Sequence, residues 1–190
     1  MKVGLYFGSF NPIHIGHLII ANHVIEHTNL DQVWLVVSPQ NPLKPAASLL
    51  NEYQRLHLVQ LAIANNDKLK ASDVEFKLPK PSYTIDTLIY LAEKYPNHQF
   101  SIILGGDSFI NISKWKNADV LQKNYPLIIY QRPKFLISNN AINKNMTILN
   151  APLLDISATA IRQLIKDKKS IQYLVTDSVR GEIEKYGYYR

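Results

Sequence analysis

Apolar, β-prone segments that alternate with helical segments constrain the fold of this chain more than any other feature. Short apolar runs predict strands, and apolar residues that recur every three or four positions predict helices. The predicted strands cover residues 2–7, 32–37, 99–104, 127–130 and 147–149. The predicted helices cover residues 15–27, 56–63 and 84–95, and two more begin near Ser157 and Thr176. Because strands that alternate with helices form βαβ units, we expect an α/β fold with a mostly parallel sheet flanked by helices.

The chain of 190 residues is near the usual size of one domain, and it contains no internal repeat, low-complexity tract or linker. We therefore expect a single domain over residues 1–190, with residues 155–190 as a small C-terminal helical part. No run approaches the roughly 18 apolar residues that cross a bilayer, and the segment MKVGLYFGSF reaches a Gly-Ser turn too early for a secretory signal. These features predict a cytoplasmic protein without a membrane partner, and they leave a homo-oligomer open.

The charge of the chain indicates anionic partners. It carries 21 Lys and Arg against 15 Asp and Glu, a formal net charge of +6. Such an excess suits nucleic acid, an acidic surface or small phosphorylated ligands. The basic residues are scattered and lack the clustering with aromatic residues that is typical of RNA-binding proteins, which argues against a nucleic acid. The absence of cysteine excludes disulfides, thiolate metal sites and a cysteine nucleophile.

Glycine, proline and polar residues cluster where three of the predicted strands end. GSFNPIHIGH (8–17) follows the first strand, SPQNPLK (38–44) follows the second, and GGDSF (105–109) follows the strand over 99–104. In a parallel sheet, ligands bind at the carboxyl ends of the strands, near a topological switch point. We therefore expect a binding site at this edge of the sheet.

GSFNPIHIGH is the strongest chemical signal in the sequence. Gly8 and Ser9 allow a tight turn, and the helix that starts near Ile15 presents unpaired N–H groups and a positive dipole end to phosphate. His14 and His17 are three residues apart, so both side chains can lie on the same side of the helix start. Two imidazoles there can donate hydrogen bonds to a polyphosphate as its negative charge grows. The alternative is a pair of surface or metal-binding histidines, although a metal needs a third ligand and no HExxH pattern is present.

GSFNPIHIGH matches the HxGH signature of the nucleotidylyltransferase superfamily and resembles the opening of its nicotinate mononucleotide adenylyltransferases. The second signature of that superfamily, ISSTxIR, is similar to ISATAIR (156–162), in which Ala158 removes one hydroxyl. The resemblance implies a Rossmann-like fold in which both signatures serve one ATP site, with His14, His17 and Arg162 as the catalytic residues. By the same resemblance, ATP is bound by Gly8, Ser9, Phe10, His14, His17, Gly106, Asp107, Ser157, Thr159 and Arg162.

Two further segments resemble the nicotinate mononucleotide branch of that superfamily. They are PSYTIDTL (81–88) and GGDSFINISKW (105–115). The resemblance implies that Trp115 stacks on the pyridine ring of nicotinate mononucleotide, and that Tyr83 and Thr84 hold its carboxylate. Otherwise, Trp115 is a half-buried core residue and Thr84 is only the N-cap of the helix that follows.

Three basic residues extend the resemblance. Lys44 corresponds to the basic residue that ends a substrate loop in relatives, and Arg132 corresponds to an Arg beside the nucleotide site, so both are predicted to bind the mononucleotide. The loop that carries Lys44 is shorter than the usual form, which leaves undecided whether Gln40 or Asn41 faces the substrate. Arg55 matches an Arg early in the next helix, and an ion pair on the helix surface is the alternative for this residue.

The reaction that the resemblance implies is transfer of the adenylyl group of ATP to nicotinate mononucleotide, with Mg²⁺ carried by ATP and no dedicated protein cage. An adenylyl- or cytidylyltransferase with a pantetheine or glycerol phosphate acceptor is the alternative within the same class. An RNA-binding protein with a vestigial nucleotide fold is the alternative from another class. The whole interpretation requires that residues 14–17 and 157–162 meet at one triphosphate.

Overall fold

The computed structural model describes residues 1–40, 49–131, 144–150, 152 and 155–190. Within these residues, one sheet is formed by β1 (Lys2–Gly8), β2 (Gln32–Val37), β3 (Leu69–Ser72), β4 (Gln99–Gly105), β5 (Leu127–Tyr130) and β6 (Met146–Leu149). The α-helices are α1 (Ile15–His27), α2 (Glu52–Ile63), α3 (Thr84–Lys94), α4 (Gly106–Ile110), α5 (Ala118–Asn124), α6 (Ala158–Lys166) and α7 (Asp177–Tyr186). Two short 3₁₀ helices, Val74–Lys77 and Ile112–Lys114, complete the regular structure. A membrane-spanning helix, which must be both long and apolar, is absent from the described part of the chain.

The sheet is parallel throughout, with the strand order β3-β2-β1-β4-β5-β6. The chain builds outward from β1 to β2 and β3, and then returns to the other side of β1 to add β4, β5 and β6. The strand order therefore reverses between β1 and β4, the position at which ligands bind in parallel sheets of this kind. The expected α/β fold with a parallel sheet is confirmed, and the GSFNP and GGD segments lie at its switch point.

Helices cover both faces of the sheet, and each face has its own hydrophobic core. Alternate residues of β1 enter different cores, since Val3 and Leu5 belong to one and Tyr6 belongs to the other. The core that contains Tyr6 is shared with α1, α2, α6 and α7, whereas the core of Val3 and Leu5 is shared with α3, α4 and α5. This division places the HxGH and ISATAIR signatures on one face and the PSYTIDTL segment on the other.

The structure adds elements that the sequence patterns do not predict, which are β3, α4, α5 and the two 3₁₀ helices. β3 has the sequence LKAS, and only Leu69 and Ser72 are buried. α5 has seven residues, of which Ala118 and Leu121 are buried. Both elements are too short and too polar for their apolar spacing to stand out, and packing against neighbours stabilises them. The prediction that Thr84 is an N-cap is wrong, because Tyr83 occupies that position and Thr84 is the first residue of α3.

Candidate active site

The HxGH and ISATAIR segments meet at the carboxyl end of β1. Nη1 of Arg162 donates a hydrogen bond of 2.8 Å to the backbone carbonyl of Asn11, and Nη2 donates to Oγ1 of Thr159 at 3.2 Å. Ser157 is the N-cap of α6, and its hydroxyl accepts from the backbone N–H of Ala160 at 3.2 Å. The expectation that the two signatures converge is therefore met, and α6 directs its N-terminus and Arg162 to the loop that precedes α1.

His14 and His17 form a stacked pair at the start of α1. Their ring centroids are 3.7 Å apart with an interplanar angle of 28°. The backbone N–H of His14 donates to Nδ1 of His17 at 3.3 Å. Because Nδ1 accepts this bond, the neutral imidazole of His17 carries its proton on Nε2. His17 is half-buried.

Aromatic rings position His17 from the sheet side. The rings of Phe10 and Tyr6 contact it edge-on, with centroid distances of 5.0 and 6.1 Å. Phe10 has a φ of 43°, in the left-handed region, and is buried. A Cβ at Gly8 would lie 2.8 Å from Cζ of Phe10, so the close approach of this ring requires glycine. Gly8 is the last residue of β1 and the chain turns at Asn11 and Pro12, so the tight turn that the sequence predicts at Gly8 and Ser9 lies two to three residues later.

The first N–H group of α1 is not available to a ligand. The backbone N–H of Ile15 donates to the carbonyl of Leu174 at 2.9 Å, in the segment between α6 and α7. The expectation of unpaired N–H groups at this helix start is therefore wrong for Ile15. Tertiary packing supplies this partner, and the C-terminal part of the chain thereby anchors the loop that carries His14.

Gly106 and Asp107 open α4 directly after β4, beside the β1 loop. Gly106 is buried, and a Cβ at Gly105 would collide with the carboxylate of Asp107 and lie 3.0 Å from the hydroxyl of Tyr130. The Tyr130 and Tyr6 hydroxyls are 3.3 Å apart. Asp107 is therefore close to Tyr130 at the switch point, where the sequence predicts an ATP contact.

Tyr83, Thr84 and Trp115 belong to the opposite face of the sheet. Tyr83 and Trp115 are half-buried and pack against the core of α3, α4 and α5. Lys116 joins them, because its Nζ lies 5.0 Å from the centre of the Tyr83 ring and 2.9 Å from the carboxylate of Asp86. The start of α3 has no side-chain cap, and Asp86 is the acidic residue of its first turn. These three of the five residues predicted to hold the mononucleotide thus lie on one face of the sheet, here called the acceptor wall.

Arg55 is fully buried, and the alternative of an ion pair on the helix surface is wrong. Its guanidinium donates to four backbone carbonyls, at distances of 2.5–3.0 Å. These carbonyls belong to Ser9, Ser38, Pro39 and Leu50. Arg55 therefore joins the turn after β1, the end of β2 and the chain that enters α2. Sequence reasoning missed this role because an arginine in a helix gives no sign of which carbonyls lie above it.

Glu75 is a second buried charged residue that sequence reasoning missed. Its Oε2 accepts from the Ser82 hydroxyl at 2.7 Å and its Oε1 from the Thr87 hydroxyl at 3.0 Å. Burial raises the pKa of the Glu75 carboxyl, and side-chain hydrogen bonds from Ser82, Ser38 and Thr87 oppose that rise. The residue follows β3, which the apolar pattern did not reveal.

Some of the predicted site residues lie outside the described residues. These are Lys44 and Arg132, both predicted to bind the mononucleotide, and Asn41. Gln40 is exposed at the end of the segment that follows β2.

A metal cage of side chains is absent from the described part of the chain, where no group of three or more His, Asp or Glu residues is close enough to hold an ion. Asp107 is a carboxylate among the predicted ATP contacts. A single carboxylate suits an ion that phosphate oxygens and water hold for the most part, as Mg²⁺ is held on a nucleotide.

The chain is similar to known proteins in sequence and in fold. Residues 5–164 match the family model described as cytidylyltransferase-like. A protein of Cytophaga hutchinsonii named probable nicotinate-nucleotide adenylyltransferase is 53% identical, over 100% of this chain and 98% of that protein. A protein of the same name from Flavobacterium psychrophilum is 50% identical, over 100% of both chains. The structure of Plasmodium falciparum nicotinic acid mononucleotide adenylyltransferase complexed with NaAD has the same fold, with a TM-score of 0.85 and 24% identity over 99% of this chain and 97% of that one.

Proposed function

Because this chain belongs to the cytidylyltransferase-like family and, within it, to the nicotinate-nucleotide adenylyltransferases, we propose that it makes nicotinate adenine dinucleotide from ATP and nicotinate mononucleotide. The reaction serves NAD biosynthesis. An oxygen of the mononucleotide phosphate attacks the α-phosphorus of ATP, the bond from that phosphorus to the bridging oxygen of the β-phosphate breaks, and pyrophosphate leaves. The observation that carries the proposal is the hydrogen bond from Arg162 to Asn11, which joins the two signatures at one place.

Alignment and charge neutralisation are the contributions of the protein. The acceptor phosphate is already an anionic nucleophile at neutral pH, so the reaction needs no protein base and no covalent intermediate. His17 donates from Nε2 to an α-phosphate oxygen as its charge grows, and His14 supports the ring of His17 by stacking. The hydrogen bond that His17 Nδ1 accepts supports this role, because it orients the ring.

The β- and γ-phosphates are held by the ISATAIR segment in this proposal. Ser157 and Thr159 supply hydroxyls at the N-terminus of α6, whose dipole favours negative charge. Arg162 supplies the positive charge one turn further along. Gly8, Ser9 and Phe10 form the floor of the site, and the segment of Gly106 and Asp107 binds the nucleotide from the side of β4.

The acceptor mononucleotide is bound by the other wall. Trp115 stacks on the pyridine ring, and Tyr83 and Thr84 hold the carboxylate at the uncapped start of α3. Lys44 and Arg132 neutralise the phosphate of the mononucleotide. Their positive charges match the substrate, and the family resemblance assigns them to this task.

Mg²⁺ accompanies ATP in this proposal, bound mainly by phosphate oxygens and water. When bound, it neutralises part of the negative charge of the triphosphate. A single carboxylate ligand, Asp107, suits an ion that the nucleotide carries into the site. We also propose that residues 1–190 form one catalytic domain that works in the cytoplasm.

Pyrophosphate release tests this function directly. ATP and Mg²⁺ are supplied together with nicotinate mononucleotide, nicotinamide mononucleotide, a pantetheine phosphate or glycerol phosphate, one at a time. We expect rapid release with a pyridine mononucleotide, and the highest kcat/KM with the nicotinate form. Release that occurs only with pantetheine phosphate or glycerol phosphate, or with no acceptor at all, contradicts the proposal.

Gly16→Ala is expected to lower kcat/KM about tenfold, because it displaces the ring of His14. A Cβ at this position would lie 3.1 Å from Nδ1 and 3.2 Å from Cε1 of that ring, so the imidazole stack has to move by a few tenths of an ångström. Gly181→Ala in α7 is the matched control, since a Cβ there meets no atom within 4 Å. Pyrophosphate release measures both variants, and equal activity in the two would refute the role assigned to the stack.

A further inference from the structure

A buried network of hydrogen bonds runs beneath the acceptor wall and ends at Glu75. Glu75 lies in the 3₁₀ helix that follows β3 and is 2% exposed. Its Oε2 accepts from the Ser82 hydroxyl at 2.7 Å, and its Oε1 accepts from the Thr87 hydroxyl at 3.0 Å. Ser82 and Thr87 are themselves buried. Each carboxylate oxygen therefore contacts a different part of the segment that begins α3.

The two hydroxyls flank the residues that face the substrate. Ser82 precedes the N-cap residue Tyr83, and Thr87 lies one helical turn later, where its hydroxyl also contacts the Tyr83 carbonyl at 3.3 Å. A carboxylate that holds both positions limits rotation and sliding of the helix start. The backbone N–H groups near Thr84 and the aromatic ring of Tyr83 are then presented in one orientation.

The charge of Glu75 is not compensated by an ion pair within the described residues. A buried carboxylate without a cation costs free energy, and an apolar side chain of similar size gives a more stable core. A fully bonded buried polar group restricts its neighbours to one arrangement, which apolar packing does less strictly. The geometry around Glu75 therefore suits a residue that orients the start of α3.

We propose that Glu75 is a positioning residue for the acceptor mononucleotide, because it anchors the Ser82–Thr87 segment from beneath. This inference rests on the proposed function, in which Tyr83 and Thr84 hold the nicotinate carboxylate. The same network reaches the ATP side through Ser38, whose side chain bonds Glu75 and whose carbonyl accepts from Arg55 at 2.8 Å. Ser38 apart, the hydroxyls that bond Glu75 belong to the start of α3, so we expect its loss to act on the mononucleotide and to leave ATP binding intact.

Steady-state kinetics of pyrophosphate release test the proposal. Glu75→Ala is expected to raise KM for nicotinate mononucleotide about tenfold or more, while KM for ATP stays within about twofold of the wild type. Glu75→Gln is expected to restore KM to near the wild-type value, because an amide can accept from one hydroxyl and donate to the other. A merely structural role would lower the active fraction, and thus kcat, without changing KM for one substrate selectively.

Glu52→Ala is the matched control. The carboxylate of Glu52 forms an ion pair of 2.6 Å with Lys80, two residues before Ser82. This ion pair is partly exposed and involves no residue of α3. We expect both KM values of this variant to stay within about twofold of the wild type. A rise in both KM values of Glu75→Ala, or no rise in either, overturns the positioning role.

The test separates this role from the proposed function. If the wild type uses nicotinate mononucleotide and the Glu75→Ala variant has an unchanged KM, the positioning role is overturned and the proposed function stands. A wild-type protein inactive on every pyridine mononucleotide overturns both. If Glu75→Ala does not fold, Ser82→Ala and Thr87→Val each remove one of the two bonds, and unchanged KM for the mononucleotide in both variants overturns the role.

Discussion

Replacing His17 with Ala is expected to lower kcat about a hundredfold or more, the range for losing one hydrogen-bond donor to a transition state. The reason is geometric. Nδ1 of His17 accepts from the backbone N–H of His14, so the proton of the neutral ring is on Nε2, the donor that the proposal assigns to the α-phosphate. Negative charge grows on the α-phosphate as pyrophosphate leaves, and this donor counts most at that point. Pyrophosphate release at saturating ATP and nicotinate mononucleotide measures the effect.

His23→Ala provides the control for that variant. His23 lies on the same helix, α1, and its ring stacks on His27 with centroids 3.8 Å apart, as the ring of His17 stacks on His14. It is outside the proposed site, so we expect its kcat to stay within about twofold of the wild type. A His17→Ala enzyme with a kcat near that of the wild type would remove His17 from the mechanism.

Arg55→Met is expected to destabilise the protein by about 3 kcal/mol or more, because it leaves four backbone carbonyls without their donor. The carbonyls of Ser9, Ser38, Pro39 and Leu50 accept from one guanidinium that is 0% exposed. For a chain of this size, such a loss lowers Tm by roughly 6–12 °C. Thermal unfolding followed by circular dichroism measures the change.

Two further variants serve as controls for Arg55→Met. Arg55→Lys keeps the charge but lacks the planar fork of donors, so it should recover only part of the lost stability. Arg190→Met removes an exposed arginine and should change the free energy of unfolding by no more than about 0.5 kcal/mol. A Tm for Arg55→Met that matches that of Arg190→Met would show that the buried hydrogen bonds contribute little.

Local patterns account for most of the strands and helices. The long apolar runs of β1, β2 and β4 and the capped start of α6 at Ser157 stand out because each signal lies within a few neighbouring residues. β3 and α5 were missed because they are short and carry few apolar residues. The N-cap of α3 was predicted one position too late, at Thr84 instead of Tyr83. A threonine at a helix start suggests a cap from its residue type alone, whether or not its side chain makes the hydrogen bond.

Some residues of the candidate site were predicted and others were missed, and the difference again depends on how far apart the contacting residues lie in the sequence. His14 is the N-cap of α1 and His17 lies in its first turn, so the spacing in the sequence already placed both side chains at one helix start. Arg55 and Glu75 gave no such signal, because their partners lie on other elements. The N–H of Ile15 was expected to be open, yet the carbonyl of Leu174 occupies it, and nothing near Ile15 in the sequence indicates that contact.

The sequence by itself determined the α/β class, the two phosphate-binding signatures and the family that they resemble. These properties follow from the spacing of apolar side chains and from short motifs, and both involve only residues that are near one another in the sequence. Only the tertiary structure decided that Arg162 reaches Asn11, that Arg55 is buried among carbonyls, and that Glu75 lies beneath α3. Such contacts join residues far apart in the chain, so they depend on the path that the backbone takes around the sheet, which no local pattern encodes.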